Sequence, residues 1–265
     1  MTGDPAQAEH RAPRRGTPLL VRNVAPGVHR LAHAHVNCYL LVDGGDVTIV
    51  DAALPATWRV LPDALDAVGR SLDDVRALVL THAHFDHLGF ARRLHEEHAV
   101  PVLAHPDEAY LAAHPYRYAH ESPRIVYPIW YPAAIPVLAR MAAAGALNVR
   151  GVDEITPIAA GQVLDVPGRP RVVFTPGHTY GHCALALPEA DALLSGDALV
   201  TFNPYTGIAG PQVVSGAATA DLAQAFASLD VLAEHSAGVL LPGHGAPWRA
   251  GVDAAVVAAR RAGPS

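Results

Sequence analysis

Residues 80–89 hold a dense group of metal-ligating side chains, in the order Leu-Thr-His-Ala-His-Phe-Asp-His-Leu-Gly. Three histidines and one carboxylate, namely His82, His84, Asp86 and His87, fall within six residues. Neutral imidazole and ionised carboxylate are good ligands for zinc and other first-row divalent metals. Residues two apart in an extended segment point the same way, so His82 and His84 can converge on one ion. We expect the following turn to carry Asp86 and His87 towards a second position.

The elements on either side of this cluster must position it. The apolar run at 77–80 predicts a buried strand, and residues 88–98 predict a helix. Sites in α/β proteins commonly lie where a strand ends and a helix begins. A purely structural explanation exists, because Asp86 is a suitable N-cap for the helix. That explanation accounts for one residue of the four and leaves the three histidines unexplained.

The cluster has the pattern H-x-H-x-D-H, and the chain here resembles the metallo-β-lactamase superfamily. Three further motifs follow in that family's order: Thr175-Pro176-Gly177-His178-Thr179, Ser195-Gly196-Asp197 and Pro242-Gly243-His244-Gly245. The resemblance spans about residues 20–250. It implies an α/β fold of the four-layer αββα sandwich type, formed by residues 19–265 as a single domain. Two halves of strands followed by helices, stacked sheet to sheet, are consistent with that architecture.

The resemblance also implies how seven candidate ligands divide between two ions. His82, His84 and His178 would hold the first ion, and Asp86, His87 and His244 the second, with Asp197 bridging them. We therefore expect two Zn²⁺ per chain, with iron or manganese as alternatives. Such pairs share a hydroxide that is nucleophilic at neutral pH. Asp86 is the predicted catalytic residue, because it could hydrogen-bond the hydroxide and later pass a proton to the leaving group.

The implied activity is a metal-dependent hydrolase that cleaves a small ester, lactone or thioester. Several relatives fit less well. β-Lactamases of this fold lack the bridging aspartate. Glyoxalase II carries a C-terminal domain, whereas only about twenty residues follow His244 here. Acyl-homoserine lactonases have a tyrosine where this chain has Val200. Tyr205 is a candidate substitute for that tyrosine. A β-lactam or phosphoester hydrolase and a mononuclear iron oxygenase resembling the persulfide dioxygenases remain alternatives.

Composition sets broader bounds on the class of protein. The 265 residues carry a net charge of −6, and all nineteen basic residues are arginine. This acidic balance, with no long basic run, argues against a nucleic-acid surface. Residues 1–18 predict a disordered tail without the apolar core of a signal peptide, and no apolar run is long enough to span a bilayer. We predict a cytoplasmic enzyme with a small-molecule substrate, no nucleic-acid or membrane partner, and homodimerisation left open. Cys38 and Cys183 are predicted to be buried free thiols.

Apolar periodicity predicts most of the other elements. Strands are expected at 19–24, 28–31, 36–42, 47–50, 101–105, 183–187, 192–195 and 239–241, with helices at 57–68, 107–114, 219–235 and 254–261. Segments 155–158, 162–166 and 172–175 are expected to be strands of the second sheet. Asp51, at the end of a strand, is either a group that orients a ligand or a plain turn residue. His33 and His35 are expected to be exposed loop residues.

Residues 114–150 do not fit the regular pattern and form a predicted helical, aromatic-rich insertion. Five aromatic residues, Tyr116, Tyr118, Tyr127, Trp130 and Tyr131, crowd into sixteen positions among four prolines. Aromatic side chains offer apolar contact area with a polar tip for hydrogen bonds. The segment predicts a cap over the metal cleft, lined by at least one of Tyr127, Trp130 and Tyr131. Packing of an inserted helix and a dimer contact are the alternatives.

Overall fold

The computed structural model describes residues 18–265, so the tail predicted for residues 1–18 lies outside the described part except for Pro18. The first sheet has seven strands in sequence order: β1 (Leu19–Ala25), β2 (Val28–His33), β3 (Val36–Asp43), β4 (Asp46–Val50), β5 (Val75–Val79), β6 (Val102–Ala104) and β7 (Thr156–Pro157). Strands β1 to β4 run antiparallel to their neighbours, whereas β4 to β7 run parallel. The carboxyl ends of the parallel strands therefore meet at one edge.

The second sheet has four strands, and a short hairpin lies beside it. Its strands are β8 (Arg171–Phe174), β9 (Cys183–Leu187), β10 (Ala192–Gly196) and β13 (Val239–Pro242), and the hairpin strands are β11 (Val200–Phe202) and β12 (Ala209–Gln212). The spatial order of the second sheet is β13-β10-β9-β8. Strands β10 and β13 are parallel, so their carboxyl ends also lie together.

Seven α-helices complete the described chain, with short 3₁₀ turns before several of them. They are α1 (Leu61–Asp66), α2 (Ala91–His98), α3 (Ala109–Ala113), α4 (Tyr127–Trp130), α5 (Ile135–Ala143), α6 (Leu222–Ala233) and α7 (Val252–Ala262). The 3₁₀ turns are Pro55–Val60, Leu72–Asp74, Pro106–Glu108, Arg124–Val126, Pro132–Ala134 and Pro188–Ala190. The helix predicted at 57–68 is thus a 3₁₀ turn followed by α1. The helix predicted from residue 88 begins at Ala91.

Alternation along the strands divides the apolar residues among three cores. Leu40 of β3 packs with the core shared with α1 and α2, whereas Leu41 faces the second sheet. On β10, Leu194 faces the first sheet and Leu193 packs with the core shared with α6 and α7. Because successive strand residues point to opposite faces, both sheets are covered on both sides. The layers are helix, sheet, sheet and helix, which is the predicted αββα sandwich.

Two of the three second-sheet strands predicted within residues 155–175 are wrong, because one belongs to the first sheet and the other does not form. Thr156–Pro157 pairs with β6 and is the exposed edge of the first sheet, where a proline without an N–H is tolerated. Residues 162–166 form no strand, and Val163 makes only an isolated bridge to Arg171. Gly161 and the Pro167-Gly168 pair bound this stretch and favour a loop.

Two other expectations concern the cysteines and the membrane. Cys38 and Cys183 are free and buried, as predicted. In the part of the chain from residue 18 onwards, no single helix is both long and apolar enough to cross a membrane. One bent pair of helical segments, Arg124–Trp130 and Pro132–Ala143, reaches the required length and composition jointly across a 103° bend.

Candidate metal centre

The candidate ligands come from the carboxyl ends of parallel strands in both sheets. His82, His84, Asp86 and His87 follow β5. The loop that carries them is fixed to the end of β4, because Ala52 N donates to His87 O (2.7 Å) and Gly89 N donates to Ala53 O (2.8 Å). The six-residue motif is therefore a tight turn whose carboxyl end is held against the end of the neighbouring strand.

The other three candidate ligands come from the second sheet. His178 follows β8, Asp197 follows β10 and His244 follows β13. Two glycines permit close contacts between these loops and their neighbours. A side chain at Gly177, whose φ is +128°, would meet Ala225 N at 2.1 Å, and one at Gly243 would meet Asp197 Oδ1 at 2.2 Å. Close contact therefore requires glycine at both positions, and at Gly177 the left-handed backbone favours it as well.

The structure brings all seven predicted ligands into one buried cluster. The ligand atoms of His82, His84 and His178 lie within 4.8 Å of one another, and so do those of Asp86, His87 and His244. Asp197 lies between the two groups. Its Oδ2 is 3.4 Å from His178 Nε2 and 3.2 Å from His244 Nε2.

Several of these atoms have no partner within the protein. Across residues 18–265, the Nε2 atoms of His82, His84, His87 and His178 and the Oδ1 atom of Asp197 are buried without a hydrogen bond. Buried polar atoms are nearly always paired, because leaving one unpaired costs about 1–3 kcal/mol. Five such atoms that converge on the same small volume fit a bound cation. Imidazole and carboxylate are also the donor set that zinc and related metals take.

Burial and neighbouring charge set the protonation of the cluster. Burial lowers the pKa of His82 and His178 well below its usual range, and it lowers that of His84 to about 4. These rings are therefore neutral at physiological pH, the form that binds a metal. Burial opposes ionisation of Asp197, but His244 and His87 outweigh it and hold the Asp197 pKa below its ordinary value.

The match to a family profile shows which family the chain belongs to. The profile of the Metallo-beta-lactamase superfamily matches residues 33–244, which span all seven candidate ligands. The chain belongs to this superfamily.

Known relatives agree with that assignment. The probable metallo-hydrolase YflN of Bacillus subtilis (strain 168) is 27% identical over 252 residues, covering 84% of this chain and 85% of the relative. The crystal structure of a metallo-beta-lactamase family protein from Thermus thermophilus superposes with a TM-score of 0.64 at 29% identity, covering 88% and 77% of the two chains. The protein TTHA1623, solved in a di-iron-bound form, is similar with a TM-score of 0.57 at 25% identity, covering 88% and 94%.

The carboxylate of Asp51 lies beneath the cluster. Its Oδ2 accepts hydrogen bonds from His87 Nδ1 (2.9 Å) and Thr81 Oγ1 (2.9 Å), and its Oδ1 accepts from Thr81 N (2.8 Å). A carboxylate only accepts, so His87 carries its proton on Nδ1 and leaves Nε2 free. Of the two roles considered for Asp51, the orientation of a ligand is the one that the geometry supports.

His182 was not singled out from the sequence, although it lies four residues after His178. Its Nε2 accepts from Asp197 N (3.0 Å), so its Nδ1 carries the proton and donates to Thr175 Oγ1 (2.9 Å). Both ring nitrogens are therefore used within the protein. His182 positions the backbone of Asp197 rather than offering a free ligand atom.

Glu108 was also missed. This buried carboxylate accepts from Ala83 N (2.7 Å) and from Gly181 N (2.9 Å), and burial raises its pKa. It thereby ties the loop of His82 and His84 to the loop of His178. A lone glutamate in the first turn of a helical segment has an ordinary explanation, so no sequence signal marked it.

His33 and His35 are not the exposed loop residues that the sequence led us to expect. Both are half-buried. His33 Nδ1 pairs with Thr57 Oγ1 (3.0 Å), and His35 stacks on Phe202 at 5.3 Å between ring centroids. The carbonyl of His35 accepts from His244 Nδ1 (2.8 Å), which directs His244 Nε2 into the cluster. The tight turn between β2 and β3 is half-buried because its backbone packs against His244.

The insertion at 114–150 contacts the metal centre through Tyr118. This ring lies 4.3 Å from the His84 ring between centroids, and its hydroxyl is 3.3 Å from that of Tyr205. The guanidinium of Arg124 lies over the Tyr118 ring at 3.9 Å. Tyr118 was not among the three residues predicted to line the cleft. Of those three, Tyr127 is buried and donates to the Ser265 carbonyl, and Trp130 is 67% exposed. The cap itself stays a prediction.

Two cavities differ in their relation to the cluster. One of about 180 Å³ is bordered by His178, Thr179, Leu111 and Tyr118, and so opens beside the candidate ligands. A larger one of about 600 Å³ lies at the opposite end of the sandwich, between the β1–β2 and β3–β4 turns and the end of β9. None of the seven candidate ligands lines the larger cavity, so we associate substrate binding with the smaller one.

Proposed function

We propose that this protein is a hydrolase that uses two metal ions to cleave a small ester, lactone or thioester. The observation that carries the proposal is the cluster of five buried, unpartnered ligand atoms with Asp197 between its two halves. When bound, a pair of divalent ions supplies a water-derived nucleophile at neutral pH and polarises a carbonyl oxygen. His82, His84 and His178 would hold one ion, Asp86, His87 and His244 the other, and Asp197 both.

Asp86 is the proposed proton carrier. Its Oδ2 lies 3.3 Å from His244 Nε2, and it is buried. Burial would raise the Asp86 pKa, but the hydrogen bond with His244 and the nearby His87 lower it, so the carboxylate starts ionised. An ionised carboxylate at this place can accept a proton and hold it at Oδ until a leaving group takes it.

The Tyr118 and Tyr205 hydroxyls favour an oxygen-bearing acyl substrate. Burial raises the pKa of both groups, so each keeps its proton at neutral pH. One of the two protons lies in the hydrogen bond between the hydroxyls, and the other can be donated to a substrate. The Tyr118 ring lies 4.3 Å from the His84 ring, and the two phenol oxygens are 3.3 Å apart, so both hydroxyls lie beside the cluster. Donors at this place can bind the carbonyl oxygen of a substrate as negative charge develops on it. The position of the Tyr205 hydroxyl thus supports the idea that Tyr205 substitutes for the tyrosine of the lactonases.

The test is an assay of lactones, thioesters, esters, phosphoesters and β-lactams with the zinc-loaded enzyme. We expect turnover of one of the first three classes and a loss of about 10²-fold in kcat for Tyr205→Phe, which removes one donor. Thr156→Val on the exposed edge strand β7 also removes a hydroxyl and is the control, because this residue does not line the smaller cavity; it should leave kcat unchanged. Phosphoester turnover that is insensitive to Tyr205→Phe would contradict the proposal.

Iron is the second candidate metal, because the relative TTHA1623 was solved in a di-iron-bound form. Histidine and carboxylate ligands accept either metal, so the donor set does not separate them. Metal analysis of purified protein distinguishes the proposals. Two zinc ions per chain support the hydrolase, whereas one iron with sulfur-oxygenating activity supports the oxygenase alternative.

A further inference from the structure

The insertion carries an exposed apolar surface that neither the cluster nor the cavities use. From residue 125 to residue 139 the sequence contains no charged, amide or hydroxyl side chain except the phenols of Tyr127 and Tyr131. Within it, Ile125, Ile129, Trp130 and Ile135 are 80%, 75%, 67% and 52% exposed. We call these four side chains the apolar patch. Ile125 and Ile129 lie one helical turn apart and so share a face.

The patch is held in place by contacts on its other side. Tyr127 is buried and donates from its hydroxyl to the Ser265 carbonyl (2.9 Å). Ala134, Val137 and Met141 are buried between the patch and the rest of the fold. Exposed apolar side chains on a fixed scaffold can bind a partner without a large ordering cost.

We propose that the apolar patch is the interface through which two copies of this chain form a symmetric dimer. The four side chains expose on the order of 500 Å², because a large side chain has about 150–250 Å² to bury. A standard interface buries about 800 Å² on each partner, so the patch supplies more than half of one face. A surface without charge is compatible with its own copy, as a two-fold interface requires.

The charges around the apolar patch argue against a membrane as its binding partner. Helices that lie on membranes usually carry free basic side chains beside the apolar face. The basic residues that flank this stretch are Arg124 and Arg140. Arg124 lies over the Tyr118 ring, and Arg140 contacts His35 Nε2 at 3.2 Å, so both turn towards the metal centre. The net charge of −6 also opposes approach to anionic lipid.

The first experiment measures mass in solution by sedimentation velocity from about 0.5 to about 100 µM protein, values set on the order of typical dissociation constants. We expect the native chain to sediment at twice its 27.8 kDa mass. Ile125→Glu/Ile129→Glu should be monomeric, while Val257→Glu on α7, also an exposed apolar position at 48%, should remain dimeric. A native chain that is monomeric throughout, or a dimer that the double variant leaves intact, overturns the proposal.

A second experiment does not depend on the folding of a charged variant. Ile129→Cys should form a disulfide-linked dimer on mild oxidation, and Val257→Cys should not. The two native thiols give little background, since they are buried and burial raises the pKa of Cys183 to about 12. Equal cross-linking of the two variants contradicts the proposal. Flotation of the native chain with phosphatidylcholine vesicles, without dimerisation, would assign the patch to a lipid surface instead.

Discussion

The replacement Asp51→Asn tests whether the carboxylate beneath the cluster fixes a metal ligand. Asparagine has the same shape, and it tolerates the left-handed backbone of this position, where φ is +61°. Its amide oxygen can still accept from Thr81 N. The amide NH₂ would then face His87 Nδ1–H, which now donates to Asp51 at 2.9 Å. Two donors would oppose each other, and relief requires His87 to move its proton to Nε2, the atom left free for a metal.

The size of the effect follows from this lost hydrogen bond. A hydrogen bond to a charged group contributes about 1.5–3 kcal/mol, and removal of such orienting partners typically lowers metal affinity about 10–100-fold. At about 1.4 kcal/mol per tenfold, the two ranges agree. If His87 holds an ion as proposed, we expect Asp51→Asn to bind that ion about 10–100-fold more weakly while the fold is retained.

Competition with a chromophoric chelator measures this affinity, and elemental analysis gives the metal content of each variant. Asp46→Asn, at the other end of β4, is the matched control. Asp46 pairs on the surface with Arg76 at 2.7 Å, and surface pairs contribute only about 0–1 kcal/mol. If Asp51→Asn retains two ions with native affinity, or if Asp46→Asn loses metal equally, the argument from the His87 tautomer is refuted.

Three further predictions follow from the site. Asp86→Asn should lower kcat by about 10²–10⁴-fold at full metal content, and unchanged kcat would remove this residue from proton transfer. Glu108→Gln should lower stability by about 1–3 kcal/mol, because only one of the two backbone N–H groups that Glu108 accepts from keeps an acceptor. Glu97→Gln, on the exposed face of α2, is the control and should leave stability unchanged. Equal melting temperatures for the two variants would contradict this prediction. Removal of metal by a chelator should lower the melting temperature, since ions at about 100 times their dissociation constant add about 2.7 kcal/mol, and an unchanged melting curve would argue against a metal in the cluster.

Most of the strands and the four candidate ligands of residues 82–87 could be predicted because their signals are local, whereas His178, Asp197 and His244 followed from the resemblance to the family. An apolar run followed by a histidine-rich turn identifies both the strand and the residues at its carboxyl end, as for β5 and His82. The same reasoning fails at the sheet edge. Residues 162–166 have the apolar content of a strand, but a strand needs a continued ladder of hydrogen bonds. Here the pairing stops at a single bridge between Val163 and Arg171, flanked by the bonds of Gln162 and Leu164.

The supporting residues could not be predicted because their partners are distant in sequence. Glu108 lies 25 residues from Ala83 and 73 from Gly181, the two residues whose N–H groups it accepts from. Tyr118 and Tyr205 are 87 residues apart. A single glutamate or tyrosine has many ordinary uses, so only the folded chain shows which pairs meet. For Asp51 the sequence left two roles open, and the hydrogen bond to His87 separates them.

The cluster lies between the two sheets, so a bound metal would also affect the stability of the fold. Asn37, at the start of β3 in the first sheet, donates from its side chain to Pro242 O (2.8 Å), and its backbone N–H donates to Gly243 O (2.8 Å). Cys183 N of the second sheet donates to Thr81 O (2.8 Å). The same loops that carry candidate ligands therefore also join the two sheets. Ions held by ligands from both sheets would close this seam further, because separating the sheets would require breaking metal–ligand bonds as well as hydrogen bonds. We therefore expect metal binding and the stability of the sandwich to be coupled through the same few residues.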